Sequence, residues 1–113
     1  MIKGTSLKEK FLLLAINHGQ AIAIGDYKKA NKIHKKIQEV YKLAKEQDQR
    51  NIFIDLIHEQ DESVRLWAAT FALSIYPDIA EKALVDLVKS TSIIGLSAKT
   101  TLQLWKDGKL DLV

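Results

Sequence analysis

His18, His34 and His58 are the only imidazoles in the chain, and imidazole is the side chain most suited to proton transfer and metal binding near neutral pH. None of the three falls in a His-x-x-x-His or His-Glu-x-x-His spacing, which would place two ligands on one helix face. Glu59 follows His58 directly, but neighbours on a helix point about 100° apart and cooperate poorly. Each histidine is therefore expected to lie alone at a surface or boundary position. There is no cysteine, so thiolate ligands, a thiol nucleophile and disulfides are all excluded. Ser74, Ser90, Ser92 and Ser97 lack the Gly-x-Ser-x-Gly elbow that exposes a serine nucleophile, and none of the five glycines falls in a phosphate-cradling Gly-x-x-x-x-Gly-Lys pattern. The expectation is a non-catalytic protein without cofactor or metal.

The charged residues carry more information. Formal net charge is only +3, yet it is segregated along the chain. Residues 26 to 45 hold seven lysines (Lys28, Lys29, Lys32, Lys35, Lys36, Lys42, Lys45) against Asp26 and Glu39, a local excess of +5. Residues 46 to 64 reverse the sign, with Glu46, Asp48, Asp55, Glu59, Asp61 and Glu62 against Arg50 alone, a local excess of −5. Asp48, Asp55, Glu59 and Glu62 follow at spacings of seven, four and three, which share a face if one helix carries them all. The acidic set Asp48, Asp55, Glu59, Asp61 and Glu62 is a candidate surface for a basic protein partner, with a divalent cation as a lesser alternative. Lys28, Lys29, Lys32, Lys35 and Lys36 are a candidate polyanion surface, since each phosphate neutralised by a lysine releases counterions. A solvated helix face is the ordinary reading of both. Arg65, four residues after Asp61, is expected to pair with it.

Helices must position these groups. Ser6 and Glu9 form a capping box ahead of Leu7, Phe11, Leu14, Ala15 and Ile22 at helical spacing; Gly25 closes that helix, and Asp26 caps the next. The second helix carries Tyr27, Ala30, Ile33, Ile37, Val40, Tyr41 and Ala44 on one stripe with lysines around the rest, and the short Gly-Asp corner predicts an antiparallel hairpin. A short third helix buries Ile52, Phe53, Leu56 and Ile57. A fourth, capped by Asp61, is apolar nearly all round and should be central, so Trp67 is expected in the core. Pro77 stops it and suits the first turn of a fifth, with Ile79, Ala80, Ala83, Leu84, Leu87 and Val88 buried, ending near Ser90. Gly95 separates that from a last helix bearing Leu96, Ala98, Leu102, Leu104 and Trp105, with Trp105 balanced between core and interface. No stretch alternates with period two. The fold expected over residues 1–113 is one all-α domain of about six helices, an α-α superhelix of stacked hairpins. The apolar run Phe11 to Ile16 is too short to span a membrane, Glu9 suits no signal peptide, and a cytoplasmic protein is expected.

Two resemblances rest on particular residues. Asp61-Glu62-Ser63-Val64-Arg65-Leu66-Trp67-Ala68-Ala69-Thr70-Phe71-Ala72-Leu73 resembles the core of a bacterial HEAT repeat, in which an acidic turn precedes Val-Arg, an Ala-Ala pair and Ala-Leu. Over its whole length, the chain is similar to the short bacterial proteins grouped as domain of unknown function 2019. The likeness lies in the opening helix with its Gly-Asp corner, Asp48-Gln49-Arg50, Val64 to Ala69, Pro77, and the late Leu104-Trp105 with Gly108. That resemblance implies a HEAT-like fold, and an association with immunity proteins that neutralise a co-encoded toxin. The expected function is thus a protein-binding module, with nucleic-acid binding through the lysines as the alternative. An isoelectric point near 9.1 weighs against an acidic inhibitor of a basic nuclease. Homo-oligomers are a third expectation, because a short helical stack leaves end faces uncovered.

Overall fold

The computed structural model describes residues 6–110, and these form six helices and no strand. They are α1 (Leu7–Ala23), α2 (Tyr27–Glu46), α3 (Asn51–Leu56), α4 (Glu62–Ala72), α5 (Pro77–Val88) and α6 (Ile93–Lys106).

Local chemistry sets most boundaries. The Ser6 hydroxyl accepts from the Glu9 backbone N–H at 3.1 Å and donates to the Glu9 carboxylate at 3.2 Å. Asp26 caps α2 by accepting from the Lys29 N–H, and Asp61 caps α4 by accepting from the Val64 N–H, each at 3.1 Å. Caps of this kind contribute about 1 kcal/mol. At their C-termini, α1, α2 and α6 close in the same way. A residue in the left-handed region follows the cap, and the next N–H returns to a carbonyl five residues back: Asp26 to Ala21, Gln49 to Ala44, Lys109 to Leu104. Gly25 and Gly108 fill two of those left-handed positions, and Asp48, at φ 56°, fills the third.

α1 and α2 form the expected antiparallel hairpin, α5 packs on α6, and α4 lies at the centre against α1, α3, α5 and α6. Val64, Ala68, Ala69, Phe71 and Ala72 of α4 are buried. The α1–α4 crossing is close. A methyl group at Gly19 would come within 2.7 Å of Ser63 Cβ, and the buried Ser63 hydroxyl donates to the Ala15 carbonyl at 2.8 Å. Aromatic rings fill the space around this crossing. Phe11 meets Phe53 edge to face at 5.0 Å between centroids, and Phe71 lies 5.2 Å from Phe53 and stacks on Tyr41 at 4.4 Å.

Several expectations need correction. Tyr27 stands 59% exposed because it occupies the first turn of α2, beyond the reach of the core stripe. Ile79, in the first turn of α5, and Leu96 and Leu104, on the outer side of the last helix, are exposed as well. Gly95 does not separate two helices. It sits buried in the first turn of α6, where the Ser90 carbonyl lies against it and leaves no room for a side chain. Asp61 uses its carboxylate on the Val64 N–H, and among the described residues Arg65 forms no ion pair with it.

Candidate functional site

The acidic residues do not share one helix. α3 ends at Leu56, before Glu59, because the chain turns to place Asp61 as the cap of α4. Asp48 follows α2 in a left-handed turn, Asp55 on α3 lies 3.7 Å from Lys8 Nζ, and Glu59 is exposed in the α3–α4 turn. Glu62 faces the other way along the fold: its Oε1 accepts from the Ser90 hydroxyl at 3.1 Å and from the Ser92 hydroxyl at 3.0 Å, fastening the α5–α6 turn to α4. Three of the five carboxylates, those of Asp55, Asp61 and Glu62, thus have partners within the protein.

The basic residues keep their helix. Lys28, Lys29, Lys32, Lys35 and Lys36 are all exposed on α2, and among the described residues none pairs with a carboxylate.

A concave feature that brings several polar and aromatic side chains together lies elsewhere. A cavity of about 330 Å³ opens between α1, α2, α4 and α6, bounded by Ile22 of α1, Gln38 of α2, Leu66, Thr70 and Phe71 of α4, and Ile93, Ile94, Ser97 and Thr101 of α6. His18, His34 and Trp67 line it together. The two imidazoles approach edge to face at 6.2 Å, and the Trp67 ring lies 5.2 Å from His18 and 5.0 Å from His34. Trp67 in turn is 5.8 Å from Phe71, so an unbroken series of rings runs from the core to the cavity. The lining holds no carboxylate and no ammonium group among the described residues. Burial pushes the pKa of both histidines below the usual imidazole value, and for His18 the neighbouring His34 adds to the effect. Both imidazoles are therefore neutral at pH 7, each with one bare nitrogen. Trp67 Nε1 is buried and has no hydrogen-bond acceptor among the described residues, whereas Trp105 Nε1 donates to Glu81 at 3.0 Å.

Sequence reasoning separated the histidines, and the fold joins two of them. The signal was present in the hairpin. His18 precedes Asp26 by eight residues and His34 follows it by eight, so an antiparallel pair turning at that point sets them side by side. His58 remains apart, exposed after α3. No set of three or more His, Asp or Glu side chains gathers in metal-binding geometry among the described residues. The cavity offers apolar walls, an aromatic floor and a few hydroxyl and amide groups, which is the composition of a binding site. No described helix is long and apolar enough to cross a membrane.

Among solved structures, the chain is similar to the crystal structure of the protein RPA1889 from Rhodopseudomonas palustris CGA009. The two share 25% sequence identity and a TM-score of 0.82, over 93% of this chain and 89% of that one. No curated protein matches. The family model described as Domain of unknown function (DUF2019) matches residues 6–105, nearly all of the helical fold, and the chain belongs to that family.

Proposed function

We propose that the protein is a non-catalytic, cytoplasmic binding module on a HEAT-like scaffold, and that it grips another protein at the cavity between α2 and α6. The observation that carries this reading is the cavity itself: a concave, mostly apolar space of about 330 Å³ lined by aromatic side chains and, among the described residues, by no carboxylate or ammonium group. Ile93 at its edge is 49% exposed, so a partner seated there removes apolar area from water beyond the cavity. The sharpest form of the reading is neutralisation of a toxin encoded beside the protein. Co-expression with the product of each adjacent gene tests it: the toxin form expects one of them to co-purify and to be lost on Thr101→Trp, which fills the cavity mouth. If every adjacent product fails to bind, the toxin form is wrong.

A second reading has its own support. Lys28, Lys29, Lys32, Lys35 and Lys36, exposed and paired with no carboxylate among the described residues, make a continuous basic helix surface suited to a nucleic acid. It expects affinity for random duplex that falls steeply with salt and weakens on changing Lys28, Lys32 and Lys36 to glutamine. Absence of duplex binding at low salt removes it.

A further inference from the structure

The cavity between α1, α2, α4 and α6 carries hydrogen-bonding groups that the protein itself does not use. His18 of α1, His34 and Gln38 of α2, and Ser97 and Thr101 of α6 line it, and all five are half-buried. Among the described residues their side chains have no hydrogen-bond partner within the protein, and none of their polar atoms is sealed from solvent. Each neutral imidazole offers one N–H and one bare nitrogen, and the Gln38 amide offers both functions as well. The Thr70 hydroxyl has given its proton to the Leu66 carbonyl at 2.7 Å and keeps a lone pair for a donor. Open donors and acceptors thus line one concave space from four helices.

We infer that this cavity is a small-molecule site for a neutral, bicyclic nitrogen heteroaromatic compound, whose ring faces rest against His18, His34 and Trp67 while its edge bonds to Gln38, Ser97 and Thr101. The inference goes beyond the protein-binding reading and does not need it, since such a compound binds the chain alone. Charge is excluded because the lining holds no carboxylate or ammonium group among the described residues, so an ion would enter without a counter-charge. A hydrocarbon is disfavoured for the opposite reason: it would strip water from the open polar groups and return no hydrogen bond. Size favours two fused rings. The volume of about 330 Å³ lies at the small end of the usual range for ligand sites and is roughly twice the ~150 Å³ that holds one benzene. A single phenyl from a partner protein would therefore leave much of it unfilled. Flatness follows from the three rings, which stand at 76° to 87° to one another. A ring parallel to one of them is edge-on to the other two, and both arrangements are favourable. Nitrogen is the ring atom that can donate or accept while the compound stays neutral.

The full-length protein is titrated with adenine and hypoxanthine, both neutral bicyclic bases, and with naphthalene, naphthoate and naphthylmethylammonium as hydrocarbon, anionic and cationic counterparts. Two indole N–H resonances report. Trp67 Nε1 is shielded from solvent and belongs to a ring that lines the cavity, while Trp105, held on Glu81, is an internal control. The expected result is that at least one base moves the Trp67 signal at about 1 mM or below, the range for a ligand of this size, and leaves Trp105 in place. That base should bind roughly tenfold more tightly than naphthalene or either ion. Gln38→Leu combined with Thr101→Val keeps side-chain bulk and removes hydrogen bonds, so it should weaken the base roughly tenfold and leave naphthalene unchanged. Thr101→Trp should abolish the response by filling the cavity. A Trp67 signal that neither base moves, naphthalene or an ion binding as tightly as the better base, or full affinity in the Gln38→Leu, Thr101→Val protein would each overturn the inference. An adjacent-gene product that co-purifies while both bases leave Trp67 unmoved removes the small-molecule site and keeps the protein-binding reading. A base that binds as described when no adjacent product does so removes only the toxin form.

Discussion

His18 and His34 place a titration inside the structure. Both have pKa values lowered by burial, so below pH 6.5 the unfolded chain binds protons that the native protein resists. Stability from these two groups is fully present above pH 6.5 and is lost as pH falls through their lower native values. Protonation would also set two imidazolium rings 6.2 Å apart in a lining that contains no carboxylate among the described residues. The melting temperature is expected to fall between pH 7.5 and pH 5 by more in the native protein than in His34→Gln, measured by circular dichroism in buffers of matched ionic strength. An identical pH dependence in the two proteins would show that the pair does not titrate as described. Asp48 presents a different cost. It holds a left-handed conformation at the position where Gly25 and Gly108 serve the other two closures. Asp48→Gly should therefore stabilise the protein by up to about 1 kcal/mol in denaturant titrations, because glycine enters that region without the Cβ penalty. Destabilisation would mean that the Asp48 carboxylate contributes more to the native state than its backbone strain costs.

Elements meet where small residues allow it, and this governs how much of the structure was legible in the sequence. Capping side chains, the Gly25-Asp26 corner, Pro77 at the start of α5 and the alanines of α4 are local signals, and they carried the helix order and the central place of α4. The cavity required two things that local pattern does not supply: the pairing of His18 with His34 across the hairpin, and the approach of α6 to α4. The second depends on Gly95 against the Ser90 carbonyl and on Glu62 holding Ser90 and Ser92, and the Glu62 contacts join residues about thirty apart. The acidic spacing misled because it presumed a helix continuing through residues that instead turn and cap. Gly19 tests the element-level account. An added methyl favours the isolated helix by about 1 kcal/mol, yet here it meets Ser63 Cβ, a position fixed to the α4 backbone. Overpacking costs about 1–3 kcal/mol, so Gly19→Ala is expected to destabilise on balance and to shift the resonances of His18 and Trp67, which adjoin the crossing. A neutral or stabilising effect would mean that α1 and α4 separate without cost.

The whole molecule measures 44 × 32 × 24 Å with a radius of gyration of 13.5 Å, close to the roughly 13 Å expected for a single packed unit of this length. Its helices do not form two independent halves, because α4 carries contacts to both. On one side, Tyr41 stacks on Phe71 and the two histidines rest on Trp67. On the other, Glu62 ties down the α5–α6 turn, and Trp105 fixes α6 to Glu81 of α5. Loss of α4 packing should therefore release both hairpins together. Two single-tryptophan proteins, Trp105→Phe and Trp67→Phe, would report on α4 and α6 separately by fluorescence during chemical unfolding. If α4 couples the hairpins, each fluorescence transition coincides with loss of helical ellipticity in the same protein, with equal slopes against denaturant. An earlier Trp105 transition would make α5–α6 a separately unfolding unit. The cavity wall that α6 provides would then open before the rest of the molecule, and binding there would raise the α6 midpoint alone.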